Sequence, residues 1–165
     1  MNAFWDRFLS AMSGYPVSHT ATWQFSRKPA SLRKARRLTR QKLAGWGFED
    51  QSDVVELLVS ELVGNAMEHT DGTVRLILSV EDGLLRGEVE DEDPALPHLC
   101  EATLDDERGR GLHLVDMLSC CWGGARTSRG KVVWFELPTL TQPEEPLAAV
   151  VTPSTPLAVL SAEPG

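Results

Sequence analysis

Apolar positions recur along this chain with two different periods, and the switches between them outline its elements. From His19 to Ser26 the row alternates, with Ala21, Trp23 and Phe25 against Thr20, Thr22, Gln24 and Ser26, which predicts a half-buried strand at a sheet edge. From Ser31 to Trp46 the period turns helical: Leu32, Ala35, Thr39, Leu43 and Trp46 share one stripe, and Arg33, Arg36, Arg37 and Arg40 another. The next helix is expected over Asp50 to Thr70, with capping residues Asp50, Ser52 and Asp53 at its start and a stop at Thr70–Asp71–Gly72. Its buried stripe is Val55, Leu58, Leu62, Val63 and Ala66. Two strands follow, Thr73 to Val80 and Leu84 to Val89, joined at Glu81–Asp82–Gly83, where Asp–Gly is a hairpin signal. Glu92 to Glu107 holds Pro94 and Pro97 and no sustained period, a length that predicts a lid. A last helix is expected over Gly111 to Cys121, with Leu112, Val115 and Leu118 turned inward and Met117 a candidate to join them. Trp122 to Arg126 and Lys131 to Leu137 then close the sheet through Thr127–Ser128–Arg129–Gly130, with Trp122, Trp134 and Phe135 expected in the core.

The two ends have a different character. Phe4, Trp5, Phe8, Leu9 and Met12 give residues 1–14 a short amphipathic pattern, expected as a flap on the domain. The last 27 residues hold five of the ten prolines and no basic residue, a composition that buries too little to offset chain entropy. The expected organisation is an N-terminal extension over 1–14, one domain over 15–138 and a disordered Pro-rich tail over 139–165. A net charge of −8 and a pI near 5.0 argue against direct binding of nucleic acid, which draws on clustered positive charge. The charge is nevertheless segregated: eight of the sixteen basic residues lie between Arg27 and Lys42, where there is no acidic residue. That run reads as a solvated helix face or as a surface for an acidic partner. Three cysteines, two of them adjacent, form neither a disulfide framework nor a zinc spacing. With no leader-like start and no apolar run near the ~20 residues of a membrane span, the expectation is a cytoplasmic protein with no membrane segment.

Candidate chemistry sits in three short segments. In ELVGNAMEHT, Glu61 to Thr70, Glu61 and Asn65 stand four residues apart, so a helix projects both from one face, one turn apart. In ERGRGLHLV, Glu107 to Val115, Gly109 and Gly111 bracket Arg110 just before an apolar helical run, where bare backbone can bring N–H groups to a phosphate at a helix N-terminus. Between them, VEDEDP places Asp91 at the end of the second hairpin strand. The order and spacing point to a site for a nucleoside triphosphate and its metal.

These three segments, with WFELP closing the sheet, resemble the anti-sigma factor and serine-protein kinase branch of the histidine-kinase-like ATPases over roughly Ala21 to Pro138. The resemblance implies a two-layer α/β sandwich, a mixed sheet with helices on one face, holding ATP and Mg²⁺ under a lid. It implies that Asn65 is the Mg²⁺ ligand and that Glu61 is the general base acting on the attacking hydroxyl. Asp91 would accept a hydrogen bond from the adenine amino group. Gly109 and Gly111, with Arg108, Arg110 and Leu112 beside them, would meet the phosphates. The implied function is transfer of the γ-phosphate to serine or threonine of an antagonist protein, together with sequestration of a sigma factor; homodimerisation through the first strand and helix is the family's habit. Two departures stand out. Asp91 leads into Glu92–Asp93–Pro94 instead of a glycine-rich turn, and Val132 falls near the place where relatives carry an adenine-contacting threonine. They favour an alternative, a partner-binding regulator without phosphoryl transfer. The catalytic half of a split histidine kinase is a third reading, weaker because no phosphoacceptor helix pair is visible.

Overall fold

The computed structural model describes residues 18–97 and 110–139, with the side chain of Arg110 excepted. The expected extension over 1–14, almost all of the tail and the lid beyond Pro97 lie outside the described residues. Strand β1 (His19–Phe25) keeps the expected alternation, Phe25 buried and Thr20, Thr22 and Gln24 exposed, and it lies at a sheet edge. Helix α1 (Pro29–Trp46) starts with Pro29 in its first turn, where the missing N–H costs nothing. It buries Ala35, Thr39 and Leu43, and the Trp46 ring stacks on His19 at 5.0 Å between centroids, tying its end to β1.

Helix α2 (Ser52–His69) lies across α1 and buries Val55, Leu58, Leu62, Val63 and Ala66, as the stripe predicts. Its start differs from expectation. A 3-10 turn over Glu49–Gln51 runs straight into the helix, Ser52 N–H bonds to the Glu49 carbonyl, and no side chain caps the N-terminus. With Ser52 N–H already met by a carbonyl of that turn, the capping candidates are left for other partners. Asp53 accepts from Arg40 at 2.8 Å, and the Ser52 hydroxyl is buried without a partner among the described residues. Arg40 also reaches Glu56, and Arg36 donates to the Ser60 hydroxyl at 2.6 Å. Half of the arginine stripe on α1 therefore clamps α2, while Arg33 and Arg37 stay exposed.

Strands β2 (Val74–Glu81) and β3 (Leu84–Asp91) form the expected hairpin, with Asp82 at φ 50° and Gly83 at φ 75°. Two successive positive φ values make the tight turn whose twist matches the strands, which is why Asp–Gly occupies it. Helix α3 (Arg110–Leu118), strand β4 (Cys121–Arg126) and strand β5 (Lys131–Pro138) complete a sheet in the order β1-β2-β3-β5-β4, in which every pairing is antiparallel. The helices lie on one face, whose core is built from Val74, Leu76, Leu78, Val80, Leu85, Val89, Val133, Phe135 and Leu137. This is the α/β sandwich anticipated from the sequence.

Two expectations about packing are corrected. Helix α3 stops short of the expected Cys121: Ser119 still donates its N–H and its hydroxyl to the Val115 carbonyl, but Cys120 N–H leaves the helix for Glu136 on β5. Leu112 and Val115 are buried, but Met117 is 77% exposed and Leu118 also faces outward. Trp134 is not in the core either. It lies on the open face of the sheet, with the Arg86 guanidinium 4.2 Å from its ring centroid and Glu88 and Glu136 completing the ion pairs of Arg86. Among the described residues no helix is long and apolar enough to cross a membrane.

Candidate functional site

A cleft of about 620 Å³ opens between α2, the start of α3 and the ends of β3 and β5, and it is lined by Glu61, Asn65, Asp91, Gly111, Leu112 and Lys131 among others. That volume falls in the range of roughly 300–1,000 Å³ typical of small-molecule sites. Glu61 and Asn65 project into it from one face of α2, as their spacing requires. Gly111, at the second position of α3, comes directly against both. A methyl group there would lie 2.5 Å from Glu61 Oε2 and 3.4 Å from Asn65 Nδ2, so only a hydrogen fits without moving Glu61. The close approach presents the backbone at the start of α3 to whatever Glu61 and Asn65 contact. Leu112 is buried one residue on, against the cleft wall. Arg108 and Gly109 lie outside the described residues, as does the side chain of Arg110, whose backbone opens α3.

At the other end of the cleft Asp91 closes β3 with its side chain on the helix face, 5% exposed. The inward parity of Leu85 and Val89 carries it there. Its Oδ1 accepts from Asp93 N–H at 2.8 Å and from Lys131 Nζ at 3.0 Å. Lys131, the first residue of β5, is paired with Asp91 in the ladder and is itself buried. Its ammonium also donates to the Asp93 carbonyl at 3.2 Å and to Asp93 Oδ2 at 3.0 Å. The Ala95 N–H and then Lys131 hold the Asp93 carboxyl below the usual carboxylate range.

Lys131 is the residue that sequence reasoning missed. Val132 was expected near the place where relatives carry an adenine-contacting threonine, yet it sits on the opposite face of β5 from Asp91, paired with Glu90 and Ala125. The signal was present in strand parity: Phe135 and Leu137 belong to the core, so Lys131 and Val133 share their face and Val132 does not. The acidic run after Asp91 is also not the uncompensated charge its sequence implies, because Asp93 is paired to Lys131 and Glu92 turns back to accept from Thr73 N–H at 3.2 Å. Outside the cleft, the Cys120 and Cys121 thiols are both pushed upward, by desolvation first and for Cys121 also by the hydrogen bond to Glu136. Neither is a thiolate nucleophile at neutral pH.

Three helices over one face of an antiparallel sheet, with Glu61, Asn65, Asp91 and Gly111 around one cleft, have the layout of the two-layer α/β sandwich of an ATPase fold. The chain belongs to the histidine kinase-like ATPase domain family, which it matches over residues 25–137. In fold it is similar to the RsbU and RsbW domains of a Mycobacterium tuberculosis protein, with a TM-score of 0.57 and 19% identity over 73% of this chain and 32% of that one. The histidine kinase domain of a blue-light-activated histidine kinase from Erythrobacter litoralis aligns with a TM-score of 0.44 and 26% identity, over 67% of this chain and 60% of that one. The chain thus spans less than two thirds of either structure. No curated protein matches it.

Proposed function

We propose that this protein binds ATP with Mg²⁺ in the cleft, transfers the γ-phosphoryl group to a serine or threonine of an antagonist protein, and sequesters a sigma factor when that antagonist is spent. The observation that carries this reading is the contact of Gly111 with Glu61 and Asn65 at one end of a cleft whose other end is the buried Asp91. The donor chemistry fits the metal. Among the described residues no cluster of three His, Cys, Asp or Glu side chains forms a metal cage, and the groups beside Gly111 are the carboxylate of Glu61 and the side-chain amide of Asn65. A hard cation that keeps water and phosphate oxygens as ligands suits that sparse set, as Mg²⁺ does.

ATP would supply the transferable phosphoryl group and Mg²⁺ the neutralisation of its charge, which is most of what phosphoryl transfer demands. Asn65 would offer its amide oxygen to the metal, and Glu61 would orient an incoming hydroxyl and accept its proton. Asp91 would accept from the exocyclic amine of adenine. Leu112 would lie beside the phosphate end, joined there by Arg108, Gly109 and Arg110. The exposed Arg33 and Arg37 on α1 offer a basic surface to an acidic partner, and a cytoplasmic homodimer through β1 and α1 is the assembly this reading implies.

Labelled ATP and a cognate antagonist should yield a phosphoprotein that Glu61→Ala abolishes; labelling that persists at the wild-type rate would remove Glu61 from the reaction. A second reading, a regulator that grips its partner without transferring phosphate, is favoured by one observation, the engagement of Asp91 by Lys131. It predicts a partner affinity indifferent to Asn65→Ala and no phosphoprotein.

A further inference from the structure

Lys131 places a cation beside the aspartate that meets the base, and an ammonium carries three N–H donors. All three have partners within the protein: Asp91 Oδ1 at 3.0 Å, Asp93 Oδ2 at 3.0 Å and the Asp93 carbonyl at 3.2 Å. The cluster is enclosed, the Lys131 side chain being 7% exposed and that of Asp91 2%. Asp91 Oδ2 makes no other hydrogen bond among the described residues, and Asp91 lines the cleft. Lys131 and Asp93 line the cleft beside it, so what this end offers a ligand is an acceptor next to a saturated cation.

The consequence for base selection depends on Asp93. A 6-amino purine offers a donor at its 6-position and a 6-oxo purine offers an acceptor. Against a carboxylate oxygen the first makes a charge-assisted hydrogen bond and the second meets like polarity. A lysine with a proton to spare at the same spot would reverse that preference by donating to the 6-oxo group. Two of the three protons of Lys131 are consumed by Asp93, and the Asp93 carboxylate is held in place by the Asp91 contact to its own N–H and by the Ala95 N–H at 3.0 Å. We infer that Asp93 is a specificity-determining residue of this cleft: by saturating Lys131 it excludes 6-oxo purines and leaves Asp91 to select a 6-amino purine. Asp93 touches neither base nor phosphate in this account, so it acts through Lys131 as a positioning residue. The inference rests on the nucleotide reading above and deepens it. It also gives a role to the acidic residue that replaces the glycine-rich turn after Asp91.

The test is a binding comparison of ATP with ITP, which differ at the 6-position and the adjoining ring nitrogen, each with Mg²⁺ and measured by calorimetry on the full chain. Wild type should bind ATP in preference to ITP. Asp93→Ala frees one proton of Lys131 and should shift the ATP-to-ITP ratio toward ITP by about tenfold, the worth of one charge-assisted hydrogen bond. Adding Lys131→Met to Asp93→Ala should return the ratio to its wild-type value, which a merely structural role for Asp93 would not do, since general loosening weakens both nucleotides alike. Asp93→Ser, whose short hydroxyl still serves the Ala95 N–H without reaching Lys131, should show the same shift should Asp93→Ala fold poorly. ATP binding with a ratio unmoved in both Asp93 variants would overturn the inference and leave the nucleotide reading standing. Failure of wild type and variants to bind either nucleotide would overturn both.

Discussion

Gly111 has room for a hydrogen and nothing larger on the side that faces Glu61. Alanine there would put a methyl carbon 2.5 Å from Glu61 Oε2, the far end of a flexible side chain, so Glu61 would swing aside while the backbone stays in place. Alanine also favours the helix by up to about 1 kcal/mol over glycine. Gly111→Ala should therefore melt within a few degrees of wild type yet lose phosphoryl transfer by about 100-fold, the order expected for a misplaced catalytic group. Melting temperature and initial transfer rate read the two effects separately. Asp93 gives a pH signature. Its carboxyl titrates below the ordinary carboxylate range because Ala95 N–H and Lys131 stabilise the charged form. A depressed folded value means that its stabilising contribution is complete above the unfolded value of about 3.9 and is lost as pH falls through the lower folded value. The difference in urea midpoint between wild type and Asp93→Ala should stay constant from pH 7 down to about pH 5 and close only below about pH 4. A difference that closed between pH 5 and 7 would mean that some other group is responsible.

Among the elements, α2 carries the most: it packs on α1, α3 and the sheet, and it supplies Glu61 and Asn65 to the cleft. Leu58 sits at its centre with no exposed surface, whereas Met117 on α3 is 77% exposed. Leu58→Ala should cost about 2–5 kcal/mol of unfolding free energy and Met117→Ala less than about 0.5, as equilibrium denaturation will show. The helices and the hairpin were legible in the sequence because their signals are local. A 3.6-residue stripe marked both long helices, and Asp82–Gly83 fixed the register that delivers Asp91 to the end of β3. What was not legible depends on neighbours. The run from Leu112 to Leu118 is apolar except at His113 and Asp116, but burial stops at Val115, and Cys120 N–H leaves the helix for Glu136 on β5. Capping by Asp50, Ser52 or Asp53 was a sound local expectation, displaced by a 3-10 turn whose Glu49 carbonyl meets Ser52 N–H. Lys131 reaches Asp91 across forty residues of chain, a pairing set by the β3 to β5 register and visible from sequence only through the parity of Phe135 and Leu137.

For the whole molecule, the two-layer arrangement explains why one cleft gathers residues from four separate segments. Antiparallel pairing of β3 with β5 sets Asp91 beside Lys131, and the helices packed over that end bring Glu61, Asn65 and Gly111 to the same opening. Among the described residues the cleft lining carries Glu61, Glu68, Asp91 and Asp93 against Lys131, so on this account an anionic ligand enters with its charge offset by Mg²⁺. The central claim is that this cleft holds ATP. Calorimetric titration of the full chain with ATP and with GTP, each with Mg²⁺, alongside Asn65→Ala and Asp91→Asn, tests it most directly. The account predicts saturable binding of ATP in preference to GTP, weakened at least about tenfold in each variant by loss of one charged or metal-linked contact. Absence of binding at millimolar ATP, or binding that both variants leave unchanged, would contradict it.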